Sequence, residues 1–342
     1  MNTIPKDVLN HCFLPFLDGI DSINYAIYHY EAHKELLDLK YVSKIDCEFT
    51  DDYVEFLVEC AKQGVYHKIR DEYNGTPLHF AKTADQVRVL IEAGANVNAG
   101  NNKGSTPLHF AETADQVRVL IEAGADVNYN SIFGDTPLHF AKSADQIRVL
   151  IEAGANVNAR NKWGETPLHY AKNTDQVRVL IEAGADVNAR NKWGRTPIYD
   201  AKTAEQTRVL IEAGADVNSV DYNNYITPLH CAYTAVQTRI LIEAGADVNS
   251  VDNNGCTPLH EAKNTEQTKA LIKAGANVNS VDRWGKTPIY DSKTAEQTRV
   301  LIEAGANVNS VDRWGEIPIY YAKTAEQKRI LIEAGADVNS IV

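Results

Sequence analysis

The 342-residue chain is poor in the residue sets that most often announce chemistry. It has one methionine and five cysteines, Cys12, Cys47, Cys60, Cys231 and Cys256, with no CxxC pair among them. Neither a disulfide framework nor a metal site is expected from that spacing, and the thiols read as reduced, in the cytoplasm. A basic excess is also missing, since 34 Lys and Arg face 46 Asp and Glu for a net charge of −12. A surface that tracks phosphates needs the opposite sign, so nucleic acid is not an expected partner. No apolar run approaches the roughly 20 residues of a membrane span. The opening MNTIPKDVLN has no basic segment before an apolar stretch, so no cleavable secretion signal is expected. No Ser/His/Asp or Cys/His set and no phosphate-cradling glycine loop stands outside the pattern described next. The chain therefore reads as a soluble non-enzyme with no cofactor.

What the sequence does have is a period. Thr76-Pro77-Leu78-His79 returns, unchanged or with Ile-Tyr for Leu-His, at Thr106, Thr136, Thr166, Thr196, Thr227, Thr257 and Thr287, and as Ile317-Pro318-Ile319-Tyr320. The step is 30 residues, and once 31. Self-similarity at such a step marks a repeat architecture. In residues 164–192, Thr166 before Pro167 predicts an N-cap with proline at the first helical position, where its missing N–H is harmless. Leu168 and Ala171 give that short helix an apolar side. Asn173-Thr174-Asp175-Gln176 predicts the capped start of a second helix, and Thr83…Gln86, Thr113…Gln116, Ser143…Gln146 and their later copies repeat it. Val177, Leu180 and Ile181 form its apolar stripe, and Gly184 its stop.

Helix, turn, helix, glycine and extended loop, with TPLH, LIEAGADVN and a loop glycine in order, resemble the ankyrin repeat over about 270 residues. Units of that family usually run about 33 residues, so the 30-residue step implies a shorter first helix and a tighter interhelical turn. The expected fold is all-α, an ankyrin-repeat solenoid of nine units over residues 76–342, preceded by a small helical N-terminal domain. The resemblance implies a hydrogen-bonding role for His79, His109, His139, His169, His230 and His260, absent where Tyr199, Tyr290 and Tyr320 stand. It also implies possible substrates for an asparaginyl hydroxylase at Asn128, Asn188 and Asn218.

Residues 53–75 echo the second half of a unit and read as a degenerate cap. Residues 1–52 are different. Their pattern, Ile4-Pro5 then Asp7-Val8-Leu9, Phe13 and Phe16 or Leu17, resembles an F-box, while Ile27-Tyr28-His29-Tyr30 departs from that family's second half. The resemblance implies docking through Pro5, Leu9 and Phe13 on the linker subunit of a cullin-type ubiquitin ligase. The alternative is that these helices only cap the array. F-box and ankyrin combinations are similar to those of pathogen effectors acting in the host cytosol.

Comparing the copies with each other locates the candidate contact residues. The second helices hardly vary and serve packing. All four tryptophans, Trp163, Trp193, Trp284 and Trp314, share one loop-tip position, each after a basic residue, with Phe133 in the same place. They read as aromatic anchors for a protein partner, or as rings stacked between neighbouring loops. The residue after the short-helix His or Tyr also varies: Phe80, Phe110, Phe140, Tyr170, Asp200, Cys231, Glu261, Asp291 and Tyr321. A position that takes both Phe and Asp reads as exposed and partner-facing. Interleaved Arg and Glu along the second helices, Arg88 with Glu92 onward, read as a solvated ladder. The function expected is protein binding in the groove of a monomer, as a ubiquitin-ligase adaptor or as a plain scaffold or inhibitor.

Overall fold

The structure is a computed structural model that describes Arg70 and residues 73–337. Residues 1–52, with Pro5, Leu9 and Phe13, lie outside the described residues, as does nearly all of 53–72. The chain divides into two compact units, one ending at Lys162 and the other beginning at Trp163.

Both units repeat one motif. In the first, one-turn helices Pro77–Phe80, Pro107–Phe110 and Pro137–Phe140 alternate with nine-residue helices Ala84–Glu92, Ala114–Glu122 and Ala144–Glu152. In the second, the short elements are Pro167–Tyr170, Pro197–Asp200, Pro228–Cys231, Pro288–Asp291 and Pro318–Tyr321. Residues 258–261 make only a turn there. Its long helices are Thr174–Glu182, Ala204–Glu212, Ala235–Glu243, Thr265–Lys273, Ala295–Glu303 and Ala325–Glu333. Among the described residues there is no strand.

The shortening falls where the 30-residue step placed it. Thr76 holds extended backbone and Pro77 starts the helix, but Ala81 is already back at φ −57°, ψ 126°. One turn is all that forms, and residues 81–83 lead directly into the long helix. Thr83 caps that helix through its hydroxyl, which accepts from Gln86 N–H at 3.2 Å. The Gln86 carbonyl oxygen reaches further back than a simple capping box requires, accepting Lys82 N–H at 2.8 Å. The long helices end on glycines such as Gly94, φ +90°, a left-handed stop that suits a residue without Cβ.

Within each unit the core is built from leucine, alanine, valine and isoleucine. Val177 and Leu180 are buried, but Ile181, the third member of the expected stripe, is only half-buried. Val179 is buried in its place. The helix therefore meets neighbours on two sides, and a stripe drawn for a one-sided helix misses that.

Polar side chains bond each repeat to the next within each unit. The buried Gln116 donates through Nε2 to the Ala81 carbonyl at 2.7 Å, and Gln146 does the same to Ala111 at 2.9 Å. In the second unit Gln237, Gln267, Gln297 and Gln327 reach Ala201, Ala232, Ala262 and Ser292. There Thr207, Thr238, Thr268 and Thr298 add a hydroxyl acceptor to each amide. At the loop, Asn98 donates to the Gly124 carbonyl and accepts from Asp126 N–H, and Asn128 repeats the pair with Gly154 and Asn156.

The histidines add a further link. His79 Nδ1 accepts Thr76 N–H at 3.0 Å, so its proton must be on Nε2, which donates to the Ser105 carbonyl at 2.9 Å. His109, His169, His230 and His260 repeat the arrangement toward the carbonyls of Asp135, Arg195, Cys256 and Lys286. Burial holds His109 down at about 4, and lowers His230 and His260 as well. The expectation that tyrosine abolishes this role is corrected. Tyr199 hydroxyl reaches the carbonyls of Ser219 and Ile226, and Tyr290 those of Ser310 and Glu316, so the link between repeats survives and only the threonine contact is lost. Tyr320, in the last described repeat, is exposed.

Candidate protein-binding surface

The loop tips are set by an Asx-type turn. Asn191 Oδ1 accepts the N–H groups of Trp193 and Arg195, and Asp282 and Asp312 do the same around Trp284 and Trp314. The tips are tied to one another by backbone. Lys192 N–H donates to the Trp163 carbonyl, Tyr222 to Trp193 and Arg313 to Trp284, at 2.7–2.8 Å. In the first unit Ile132 N–H donates to Lys103 and Lys162 to Phe133. Side chains at the tip are therefore not needed for this link. Phe133, Trp163, Trp193 and Trp314 are exposed, Trp314 by 59%, and Trp284 is half-buried.

None of the ring pairs among the described residues joins two tryptophans, so the expected stacking of Trp193 on Trp163 or Trp314 on Trp284 is not what holds the loops. Cations take that place at the end of the second unit. Arg283 guanidinium lies 4.7 Å from the Trp284 ring, and Lys286 Nζ lies 5.3 Å from the Trp314 ring and 3.9 Å from that of Tyr321.

The second variable position is at the surface in both units. Phe80, Phe110 and Phe140 are each more than 40% exposed. Phe110 meets His79 edge-on at 5.5 Å and Phe140 lies 5.9 Å from His109, so each ring rests partly on the preceding repeat. In the second unit Asp200, Glu261 and Asp291 are exposed, while Tyr170, Cys231 and Tyr321 are half-buried. Partial desolvation raises the Asp200 and Asp291 carboxyls to about 6, with neighbouring carboxylates adding to the shift.

The tip and the variable column converge at a pocket in the second unit. The pocket, of about 530 Å³, is lined by Trp284 and Trp314 from the tips and by Glu261, Asp291 and Tyr321 from the column, with Asp282 and Lys286 between them. Lys286, Tyr290 and Asp282 are parts of it that comparing the copies did not single out, because their place is set by the neighbouring repeat. A further tip was also missed. Tyr73 is 61% exposed, its carbonyl accepts Asn102 N–H as later tips do, and Asn74, φ +62°, stands where the loop glycine would be.

Arg88, Arg118 and Arg148 pair with Asp85, Asp115 and Asp145 one turn back, not with Glu92, Glu122 and Glu152. Asn128, Asn188 and Asn218 are exposed, and the amide of each both donates to and accepts from the next repeat. In the longer loop, Tyr225 takes φ +57° in place of glycine, and Asp221, almost fully buried, holds Arg195 at 3.2 Å. No group of three or more His, Cys, Asp or Glu among the described residues is placed to hold a metal ion, and no described helix is long and apolar enough to cross a membrane.

A family model for ankyrin repeats (3 copies) matches residues 44–131, 112–191, 171–252 and 198–282. The chain belongs to the ankyrin repeat family. Ankyrin repeats are protein–protein interaction modules and, in general, non-enzymatic scaffolds. None of the curated proteins compared with the chain matches it. The matched ankyrin segment begins at residue 44, so the segment carrying Pro5, Leu9 and Phe13 lies before it. Past residue 282 the long helices Ala295–Glu303 and Ala325–Glu333 continue the same motif.

Proposed function

We propose that the chain binds a partner protein through the loop-tip aromatics and the variable column beside them. The convergence of Trp284, Trp314, Glu261 and Asp291 on one open pocket carries this reading. Aromatic anchors at such sites contribute roughly 2 kcal/mol or more each when truncated. The test is affinity capture with the wild type against a Trp163/Trp193/Trp284/Trp314→Ala variant. Recovery of the same proteins by both would make the rings structural and remove the assignment.

The finer reading is a cytoplasmic substrate adaptor, in which Pro5, Leu9 and Phe13 dock on the linker subunit of a cullin-type ubiquitin ligase. Its support is the F-box-like spacing of those residues alone. Full-length protein and a Pro5/Leu9/Phe13→Ala variant, each mixed with purified linker subunit, separate it from a plain scaffold or inhibitor. Absence of any complex with the folded wild type leaves the scaffold.

A further inference from the structure

The pocket near the end of the second unit has a chemistry that narrows what it can hold. Its walls are the rings of Trp284, Trp314 and Tyr321, with Tyr290 packed edge-on against Tyr321 at 5.3 Å. A cation already uses those walls. Lys286 Nζ rests 3.9 Å from the Tyr321 ring centroid and makes no ion pair among the described residues. Tyr321 is held in place by its hydroxyl, which donates to Asp312 Oδ2 at 2.8 Å. The electron-rich ring faces thus favour positive charge, and the protein's own lysine reports it.

The carboxylates supply the second half. Glu261 and Asp291 line the pocket and make no hydrogen bond or ion pair with any described residue. Asp282 spends Oδ1 on the loop turn. Glu261 and Asp291 therefore keep acceptor sites for donors arriving from outside. Three carboxylates, Glu261, Asp282 and Asp291, are matched by three lysines, Lys286, Lys293 and Lys323, so the lining carries no net charge. Bulk attraction for a basic chain is consequently small, and selectivity depends on directed donors.

We propose that this pocket accepts an arginine side chain of the partner protein, the guanidinium stacked on the tip aromatics and donating to Glu261 and Asp291. This rests on the protein-binding reading above. A guanidinium is planar, weakly hydrated and carries five N–H donors, so it can lie on a ring and bond a carboxylate at its edge together. A quaternary ammonium would satisfy the rings and leave both carboxylates without donors. A lysine ammonium is a compact, strongly hydrated point charge that cannot lie flat on a ring while donating to both carboxylates.

The probe is acetyl-Gly-Leu-Arg-Gly-amide, compared with versions carrying lysine, trimethyllysine or citrulline in place of arginine, titrated into full-length protein. The four indole N–H resonances are the readout. The arginine peptide is expected to shift Trp284 and Trp314 but not Trp163 and Trp193, and to bind at least fivefold more tightly than the other three. A Glu261→Gln/Asp291→Asn variant, with an unchanged thermal melt, is expected to abolish that preference. Equal binding of the citrulline peptide, equal shifts at all four indoles, or an unaffected double variant would each overturn the proposal. Absence of any peptide-induced shift also overturns it, and capture by a Trp284/Trp314→Ala variant then separates the two readings. Loss of the wild-type partners would keep the general binding surface, and their retention would remove that as well.

Discussion

Replacing Gln116 by leucine tests what holds adjacent repeats together. The side chain is 1% exposed, and leucine nearly matches its volume, so the change removes polar bonds without opening a large cavity. Four bonds are lost: Glu112 N–H at 2.7 Å, Thr113 N–H at 2.9 Å, a long one from the Thr113 hydroxyl at 3.4 Å, and the Ala81 carbonyl at 2.7 Å. Glu112 and Thr113 are exposed and water can reach their amides, so each loss is about 1 kcal/mol or less. Ala81 is buried, and its carbonyl left without a donor costs about 1–3 kcal/mol. The sum is about 3 kcal/mol. With an m-value of about 2 kcal/mol/M, the urea midpoint followed by circular dichroism should fall by about 1.5 M. A fall below about 0.3 M would refute the reasoning, because it would mean that the amide link between repeats is energetically neutral.

Acid should loosen the array through its histidines. His109 is neutral in the folded chain down to about 4 because it is buried, so the unfolded chain takes up the extra proton below about 6.5. Stability is then full above pH 6.5 and falls as pH drops from there toward 4, by about 2 kcal/mol at pH 5 for His109 alone; urea titrations at pH 7.5 and 5 measure it, and a flat profile would contradict the assigned tautomer. Tyr225→Gly removes a left-handed non-glycine residue and should raise the melting temperature, stabilising by up to about 1 kcal/mol. A lower melting temperature would mean that the tyrosine ring anchors the loop. Gly275→Ala and Gly285→Ala both force a Cβ into left-handed backbone, but only at Gly285 would it also lie 3.1 Å from Arg313 N and Asp312 Cα. Calorimetry should show Gly285→Ala as the more damaging by about 1 kcal/mol, the worth of the Arg313-to-Trp284 tip bond it displaces.

The features readable along the chain were those completed within one repeat. Thr166 before Pro167, Asn173 before Gln176, and Gly184 each have their partner within a few residues, and each does what its spacing predicts. Features completed by the neighbouring repeat were misread or missed. Gln116 was legible as a cap, but the direction of its amide toward Ala81, 35 residues away, was not. Tyr199 looked like the loss of a histidine bond because the carbonyl it reaches belongs to the next loop. The Arg88 side chain is exposed, as a solvated ladder implies, but which carboxylate it meets was not legible, since Asp85 and Glu92 both stand at helical spacing and the first-turn Asp85 is the partner. The pocket was half legible: Trp284, Trp314, Glu261 and Asp291 followed from comparing copies, while Lys286 between the rings required the fold.

The same bonds explain why the variable positions are free to vary. Within each unit a repeat is joined to its neighbour by the buried glutamine amide, by the short-helix His or Tyr, and by the loop asparagine. At the tips the link is a backbone N–H to a backbone carbonyl, as between Tyr222 and Trp193. In a quasi-one-dimensional array these interface terms set stability. The backbone tip bond does not need the side chain at the tip, which is why Lys103, Phe133, Trp193 and Asn254 can stand at one position without altering it, although the Asn254 Oδ1 also accepts from Arg283 at 2.8 Å. The Asp291 carboxylate is likewise outside every such bond. Trp193→Ala removes a ring that is 40% exposed and so more than half covered, and should lower the urea midpoint by less than about 1 M, the worth of about 1.5 kcal/mol of partial burial. Loss of a partner by the tip variants would then report on recognition and not on unfolding. A midpoint that dropped by 1 M or more would instead return the tryptophans to a structural role.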